Sequence, residues 1–571
     1  MANNAVPEFV FMDEGYKHYM VQYQGDIEGD ILRYPEYYVT IVDEKYAIIS
    51  TKSDIDLEDN YGIFPSIIFV AFSAYYTLQD IDLVSSEKPK AVIFDSPLKL
   101  TGEGTIVAII GTGIDYLSET FMDENGMTRI EGIWDQTILS KEDNRHPNTA
   151  YGSYYTRDKI NEAIRVHRNG GDPYSIVPSK DDTGYGTSMA SVIGGDNKKL
   201  NFKGMSPKCS FIVVKLIEAQ NLKKRYGIEI PIYNLTSIII SLKFLYEYGI
   251  ERRKPLSIYF PLETNSGNHK GSGLLEEYIE SIAMSMGIVV ISGTGNEGAN
   301  GGHTSGVINA EGEMKTIQLD VDKPQKYLET EIWIDVPNIM TLEVISPSGE
   351  STGRSPTLLK TSGSYNYIFE DTRVTIKYFM PELTSGDELI RIIFENIVPG
   401  IWQFRLTGRL ISDGIFNAWL PQKGITLGET RFRPFDPYGT STNPSNSRYL
   451  VSAAAYNQMN NNIVNFSGVA SLDDYIDRID VAAPGVKVLT VTKNNKLTSV
   501  SGTAVSAAVV TGVCALLFEW GVVNGNNRYL FAQTLKAYID RGTYQRKGDI
   551  YPNPQWGYGI LDVFEIFRNM T

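Results

Sequence analysis

Three uninterrupted apolar runs limit the fold more than any other feature of this chain: Ile106-Val107-Ala108-Ile109-Ile110, Phe211-Ile212-Val213-Val214 and Ile288-Val289-Val290-Ile291. A strand with one wet face alternates polar and apolar residues. Runs without alternation suit strands covered on both faces, as in a parallel sheet held between helices. Stretches with helical period lie among them, from Leu235 to Tyr248 and from Gly273 to Met286. This succession predicts a doubly wound α/β domain.

Two other textures flank or interrupt that pattern. Between about Ala310 and Lys423 the sequence turns to period-2 alternation, with Ile317, Leu319 and Val321, then Val374 and Ile376, then Trp402, Phe404 and Leu406 set between polar neighbours. Turn signals at Pro347-Ser348-Gly349 and Pro399-Gly400 separate these runs, which predicts a β-sandwich. The α/β texture resumes at Leu450-Val451-Ser452-Ala453-Ala454. Ahead of it all, short strand-like runs (Tyr37 to Val42, Tyr46 to Ile49) and a stretch read as helical, Ser66 to Leu78, predict a small α+β module ending near Asp95-Ser96-Pro97. The expected division is 1–95, a split α/β domain over 96–309 and 424–571, and an inserted β-sandwich over 310–423.

Composition narrows the function. The 571 residues carry a formal charge of −16, and 42% are hydrophobic. That excludes a disordered or collagen-like chain and argues against nucleic acid as a partner, since phosphate binding needs a basic surface. Two cysteines, Cys209 and Cys514, exclude a disulfide scaffold and Cys-rich zinc modules. Both are expected to pack as small buried residues, even though Lys208 precedes Cys209. Met1 to Tyr16 shows no apolar run behind basic residues, so no secretory signal is expected. The apolar stretch Leu497 to Phe518 holds too many Ser, Thr and Gly residues for a bilayer core and reads as a buried helix.

Four segments of the α/β region carry chemistry. They are Ile109-Ile110-Gly111-Thr112-Gly113-Ile114-Asp115, Asp182-Thr183-Gly184-Tyr185-Gly186-Thr187-Ser188, Ser292-Gly293-Thr294-Gly295-Asn296-Glu297-Gly298 and Ser501-Gly502-Thr503-Ala504-Val505-Ser506-Ala507. In residues and chain order they resemble the Asp, His, oxyanion-Asn and Ser motifs of the subtilisin-like serine proteases (peptidase family S8), whose triad runs Asp, His, Ser along the chain. The ending Gln555-Trp556-Gly557-Tyr558-Gly559-Ile560-Leu561-Asp562 resembles the closing segment of that family. The resemblance places Gly111 at the Asp position, Tyr185 at the His position, Ala504 at the nucleophile position and Asn296 at the retained oxyanion position. An N-terminal prodomain, a jelly-roll insertion and the missing secretion signal resemble, more narrowly, the Csp subtilases of clostridial spore germination.

The mechanism of that family needs a nucleophile, a base and a carboxylate to orient the base. Ala504 has no nucleophilic atom, Gly111 has no carboxylate, and a tyrosine hydroxyl, with a reference pKa of about 10, is a poor base near neutrality. In subtilisin itself, loss of the serine or the histidine alone lowers kcat by about 2 × 10⁶. None of His18, His146, His167, His269 and His303 lies in a G-x-G-T turn. Ser506 is expected to point away from the site, Ser501 and Thr503 lack a base, and Asp115 lies past the strand end. Phe260-Pro261-Leu262-Glu263 stands where subtilases carry the glycine-containing strand that binds substrate, and Pro261 and Glu263 are expected to hinder docking there. The acidic pairs Asp181-Asp182 and Asp473-Asp474 read as solvated loops rather than calcium ligands; any metal site is left open and no cofactor is implied.

The resemblance therefore implies a pseudoprotease, located in the spore, that regulates germination. Its expected partners are its own retained prodomain, another Csp protease or pseudoprotease, the precursor of a cortex hydrolase, and a small-molecule germinant. The alternatives are an active serine endopeptidase that processes that precursor, and a structural spore protein.

Overall fold

The apolar runs form the middle of one large sheet. The computed structural model describes residues 6–57, 61–71, 74–84, 99–353 and 362–570, and among them eleven strands join this sheet. Ile106–Gly111 lies between Ser210–Lys215 on one side and Leu256–Tyr259 on the other; Ile288–Gly293, Val451–Asn457 and Val481–Pro484 follow in turn beyond Leu256–Tyr259. Each of these neighbouring pairs is parallel. Ile106 to Ile110, Phe211 to Val214 and Ile288 to Ile291 are all buried, as strands covered on both faces must be. Helices Leu235–Arg252 and Leu274–Ala283 pack on one face, with helices Tyr185–Gly194 and Thr503–Phe518 on the other.

The stretch from Leu497 divides into a strand, Leu497–Ser501, and a helix, Thr503–Phe518, in which every residue is buried. Together with its continuation to Val523 this helix is long and apolar enough to cross a membrane, but most of it lies inside the protein. A helix apolar all round has no face to offer solvent, which matches its place behind the sheet.

The inserted region forms two antiparallel sheets, one of six strands and one of four. The alternating residues Ile317, Leu319, Val374, Ile376, Trp402 and Phe404 meet in one core between them. The strands of this unit run from His303–Val307 to Arg431–Arg433, one strand beyond each end of the 310–423 span read from the sequence. His303-Thr304-Ser305-Gly306-Val307 has no apolar alternation, so its pairing with Ile415–Trp419 left no mark in the pattern.

The N-terminal unit is a four-stranded antiparallel sheet in the order Tyr37–Ile41, Tyr46–Lys52, Tyr16–Tyr23, Ile67–Val70. Here one expectation fails. Ser66 to Leu78 is not a helix but two strands, Ile67–Val70 and Tyr75–Leu78. The β-branched and aromatic residues Ile67, Ile68, Phe69, Val70, Tyr75, Tyr76 and Thr77 favour extended backbone, and that preference prevails over an ambiguous apolar spacing. The loop Asp95-Ser96-Pro97 lies outside the described residues.

Helix Thr503–Phe518 is held in register by a close approach at Gly512. A Cβ there would overlap Met205 and lie 3.1 Å from the carbonyl of Ile193. Helix propensity alone makes Gly512→Ala stabilising by about 1 kcal/mol, whereas overpacking costs about 1–3 kcal/mol. Gly512→Ala should therefore lower the thermal unfolding midpoint, and a raised midpoint would show that the two segments are free to separate.

Candidate functional site

The four motif segments converge at the carboxyl ends of the parallel strands, where an open α/β sheet places its sites. Asp181 joins the first two. Its buried carboxylate accepts hydrogen bonds from Thr112 Oγ1 (2.8 Å), from the amides of Gly184 and Thr187 (2.8 Å each) and from Thr187 Oγ1 (2.6 Å). Thr112 Oγ1 in turn accepts from the amide of Gly186 at 3.0 Å. A carboxylate is well placed at the first turn of helix Tyr185–Gly194, where free N–H groups point outward. Asp181 is thus a structural joint, which corrects its reading as a solvated loop residue. Its neighbour Asp182 is exposed and pairs with Lys215 at 3.0 Å. Asp474 pairs with Arg448 and Arg478.

Gly111 ends its strand at φ +156°, a backbone conformation that side-chain-bearing residues rarely adopt. A Cβ there would touch Leu78 Cδ2 at 3.5 Å. Tyr185 is buried, and burial raises its phenol well above the usual tyrosine range, so it stays protonated and donates. Its O–H reaches the carbonyl of Gln79 at 2.9 Å. Ala504 opens the buried helix, and its carbonyl accepts from Tyr259 O–H at 3.0 Å. Asn296 accepts on Oδ1 from the amide of Thr503 (3.0 Å) and from its hydroxyl (3.1 Å), and donates from Nδ2 to the carbonyl of Asp80 at 2.6 Å.

Three of these four contacts involve residues that sequence reasoning did not single out, Leu78, Gln79 and Asp80. The segment from Tyr75 to Val84 runs through the cleft. Its first part, Tyr75–Leu78, is the middle strand of a small antiparallel sheet between Tyr233–Asn234 and Leu262–Glu263. The amide of Gln79 donates to the carbonyl of Pro261 (2.8 Å), and its side chain donates to the carbonyl of Gly293 (2.6 Å). Asp80 then reaches Asn296 and Gly502; a Cβ on Gly502 would lie 2.6 Å from the Asp80 carbonyl oxygen. Beyond it, Asp82–Val84 pairs antiparallel with Leu497–Ser501. The Asp80–Ile81 peptide therefore crosses the site between two β-pairings, with its carbonyl held by Asn296.

That path overturns the expectation for Pro261 and Glu263. The strand they sit on does hold an extended peptide, because Pro261 contributes its carbonyl rather than the N–H it lacks. The Glu263 side chain turns inward, where Thr442 Oγ1 donates to it at 3.2 Å. The remaining sequence candidates stay apart from the site. Ser506 donates to the carbonyl of Ala483, His18 bonds Ser50, and His269 and His303 stack on Trp419. Asp115 is pushed up to about 6 by burial, and its amide bonds Thr187 Oγ1. Cys209 and Cys514 are both buried, and burial raises both thiols. The missed residues carried one legible signal, the β-forming run Tyr75-Tyr76-Thr77-Leu78.

The wall behind Asp80 is acidic. Burial, then the nearby Glu297 charge, holds the Glu263 carboxyl well above the usual carboxylate range, and Glu297 is raised by burial too. The folded state thus keeps a proton on Glu263 that the unfolded chain releases at about pH 4.3. Its contribution to stability is full below that pH and is lost as pH rises towards the folded-state pKa. Glu263→Gln cannot ionise. Its unfolding midpoint should match wild type near pH 4 and exceed it increasingly up to pH 9; parallel pH curves would show that Glu263 carries no such proton.

The chain matches the Subtilase family over residues 102–319 and 437–559. It is 29% identical to the Thermophilic serine proteinase of Bacillus sp. (strain AK1) over 111 residues, which cover 19% of this chain and 26% of that protein. The match thus spans about a quarter of the length of that curated relative. Among solved structures, the Clostridium perfringens CspB protease is similar at 29% sequence identity and a TM-score of 0.73, covering 83% of this chain and 96% of that one. With the family match on both halves of the split α/β domain, and the four motif segments gathered at one end of its sheet, this chain belongs to the subtilase family.

Proposed function

We propose that this subtilase is a catalytically inactive member of the Csp type, a pseudoprotease that regulates spore germination. On this reading the N-terminal unit, residues 1–95, is a prodomain retained uncut, and the two-sheet insertion is the jelly roll of that type. Gly111, Tyr185 and Ala504 stand at the triad positions and Asn296 at the oxyanion position. The observation that carries the proposal is the Asp80–Ile81 peptide. Asn296 holds its carbonyl at 2.6 Å, yet the residue at the nucleophile position is Ala504, which has no atom to attack it. Tyr185, protonated and donating to the Gln79 carbonyl, fastens the same segment where a base would stand.

The regulatory role follows from the Csp resemblance. With its own cleft filled, the protein acts by binding, and its proposed partners are another Csp protease, the cortex-hydrolase precursor or a germinant. The proposed location is the spore. Loss of germination on deleting the gene, with spore structure intact, separates this role from a structural one.

Purified protein should run as a single band near 63.7 kDa and keep that mass on prolonged incubation. A self-generated cut between Asp80 and Ile81 would overturn the proposal in favour of an active endopeptidase.

Gly111→Asp, Tyr185→His and Ala504→Ser together should restore little or no self-cleavage. An aspartate at φ +156° is strained, and an error of roughly 1 Å in a catalytic group can cost about 10²-fold. Intact-mass analysis of the triple variant reads the outcome; efficient release of the N-terminal unit would show that only the three side chains are missing.

A further inference from the structure

A cavity of about 100 Å³ opens where the N-terminal unit, the α/β domain and the two-sheet unit meet. Phe69 and Tyr76 line it from the first, Glu276 from the second, and Trp333 with Arg391 from the third. We propose that this junction binds a small organic ammonium ion, with the Glu276 carboxylate as its counter-ion.

The carboxylates around the cavity are unequally satisfied. Glu331 accepts from Trp333 Nε1 (3.0 Å), from the amide of Gly267 (2.9 Å) and from Arg391 (3.3 Å). Glu329 pairs with Arg391 at 2.9 Å. Glu382 accepts from Thr384 and Ser385. Glu276, only 5% exposed, bonds its own amide and, among the described residues, no other group. Burial pushes its carboxyl up to about 7, so near neutrality it takes a proton in place of a cation, and an occupant that brings a positive charge would hold it ionised.

Charge and shape select the class. Four carboxylates (Glu276, Glu329, Glu331, Glu382) face one guanidinium, Arg391, which disfavours an anion. No cluster of three or more His, Cys, Asp or Glu side chains that could hold a metal ion occurs among the described residues. The aromatic lining suits an ammonium group, whose charge is attracted to ring faces. The volume is below the roughly 150 Å³ of a cavity that admits benzene, so an ammonium bearing about two to four carbons fits.

Because the walls come from three units, the occupant would fasten them together. Tyr76 belongs to the strand that enters the cleft, so binding here would stabilise the docked N-terminal segment by linkage. The test uses the full chain and ethylammonium chloride, followed by calorimetric titration and by thermal unfolding against sodium chloride at equal ionic strength. The expected result is saturable binding with a raised unfolding midpoint, and about tenfold or greater weakening in Glu276→Gln. Should that variant fail to fold, Ala74→Leu, which narrows the cavity from its N-terminal wall, should weaken binding instead. An absence of saturable heat, an equal shift with sodium chloride, or undiminished binding in the folded variant would overturn the proposal.

Discussion

Asn296 uses both ends of one amide. Its oxygen accepts from the amide and the hydroxyl of Thr503, capping the helix that fills the back of the sheet; its nitrogen holds the carbonyl of Asp80. A single side chain thus fixes three pieces of chain against one another: the end of strand Ile288–Gly293, the start of the buried helix and the segment threading the cleft. An amide suits this place because it donates and accepts at once while carrying no charge. The close approach also explains Gly502, whose missing Cβ leaves room for the Asp80 carbonyl. Asn296 therefore has structural work here whether or not any oxyanion forms.

The cleft and the junction cavity share a physical pattern. Each lies where separate units meet, and each has in its wall at least one carboxyl group that burial drives towards its protonated form. Glu263 and Glu297 stand behind Asp80, and Glu276, pushed up to about 7, faces the three-way junction. Contacts between units are therefore sensitive to protons, as are buried carboxyls inside the units such as Glu388, pushed up to about 8. On the proposed reading as a protein that acts by binding, that sensitivity sits where relative movement of the units would be controlled.

The central domain was readable from the sequence because its strands are covered on both faces and so lack alternation, as Ile106 to Ile110 shows. The period-2 pattern likewise marked the strands that carry Trp402 and Phe404. Gly111, Tyr185, Asn296 and Ala504 could be aligned because each follows or opens a strongly patterned element. Leu78, Gln79 and Asp80 could not. Apolar spacing in Ser66 to Leu78 fits helix and strand alike, and only the partner Leu262–Glu263, far away in sequence, decides the matter. Pro261 and Glu263 misled for a related reason. Their side chains look hostile to a bound peptide, but strand pairing uses the backbone, and the Glu263 side chain is directed elsewhere. Asp181 looked like half of a solvated acidic pair because its donors, on Thr112, Thr183, Gly184 and Thr187, close around it only once the chain turns into helix Tyr185–Gly194 beside strand Ile106–Gly111.

The threaded segment belongs to the same polypeptide as the cleft it fills, and it is pinned by strand pairing on both sides of Asp80. A peptide arriving from solution competes with an occupant whose effective concentration is set by covalent attachment, on the order of millimolar even for a loosely tethered ligand. It must also wait for two separate pairings to open together. Such a groove discriminates against dilute peptides however well their sequences suit it.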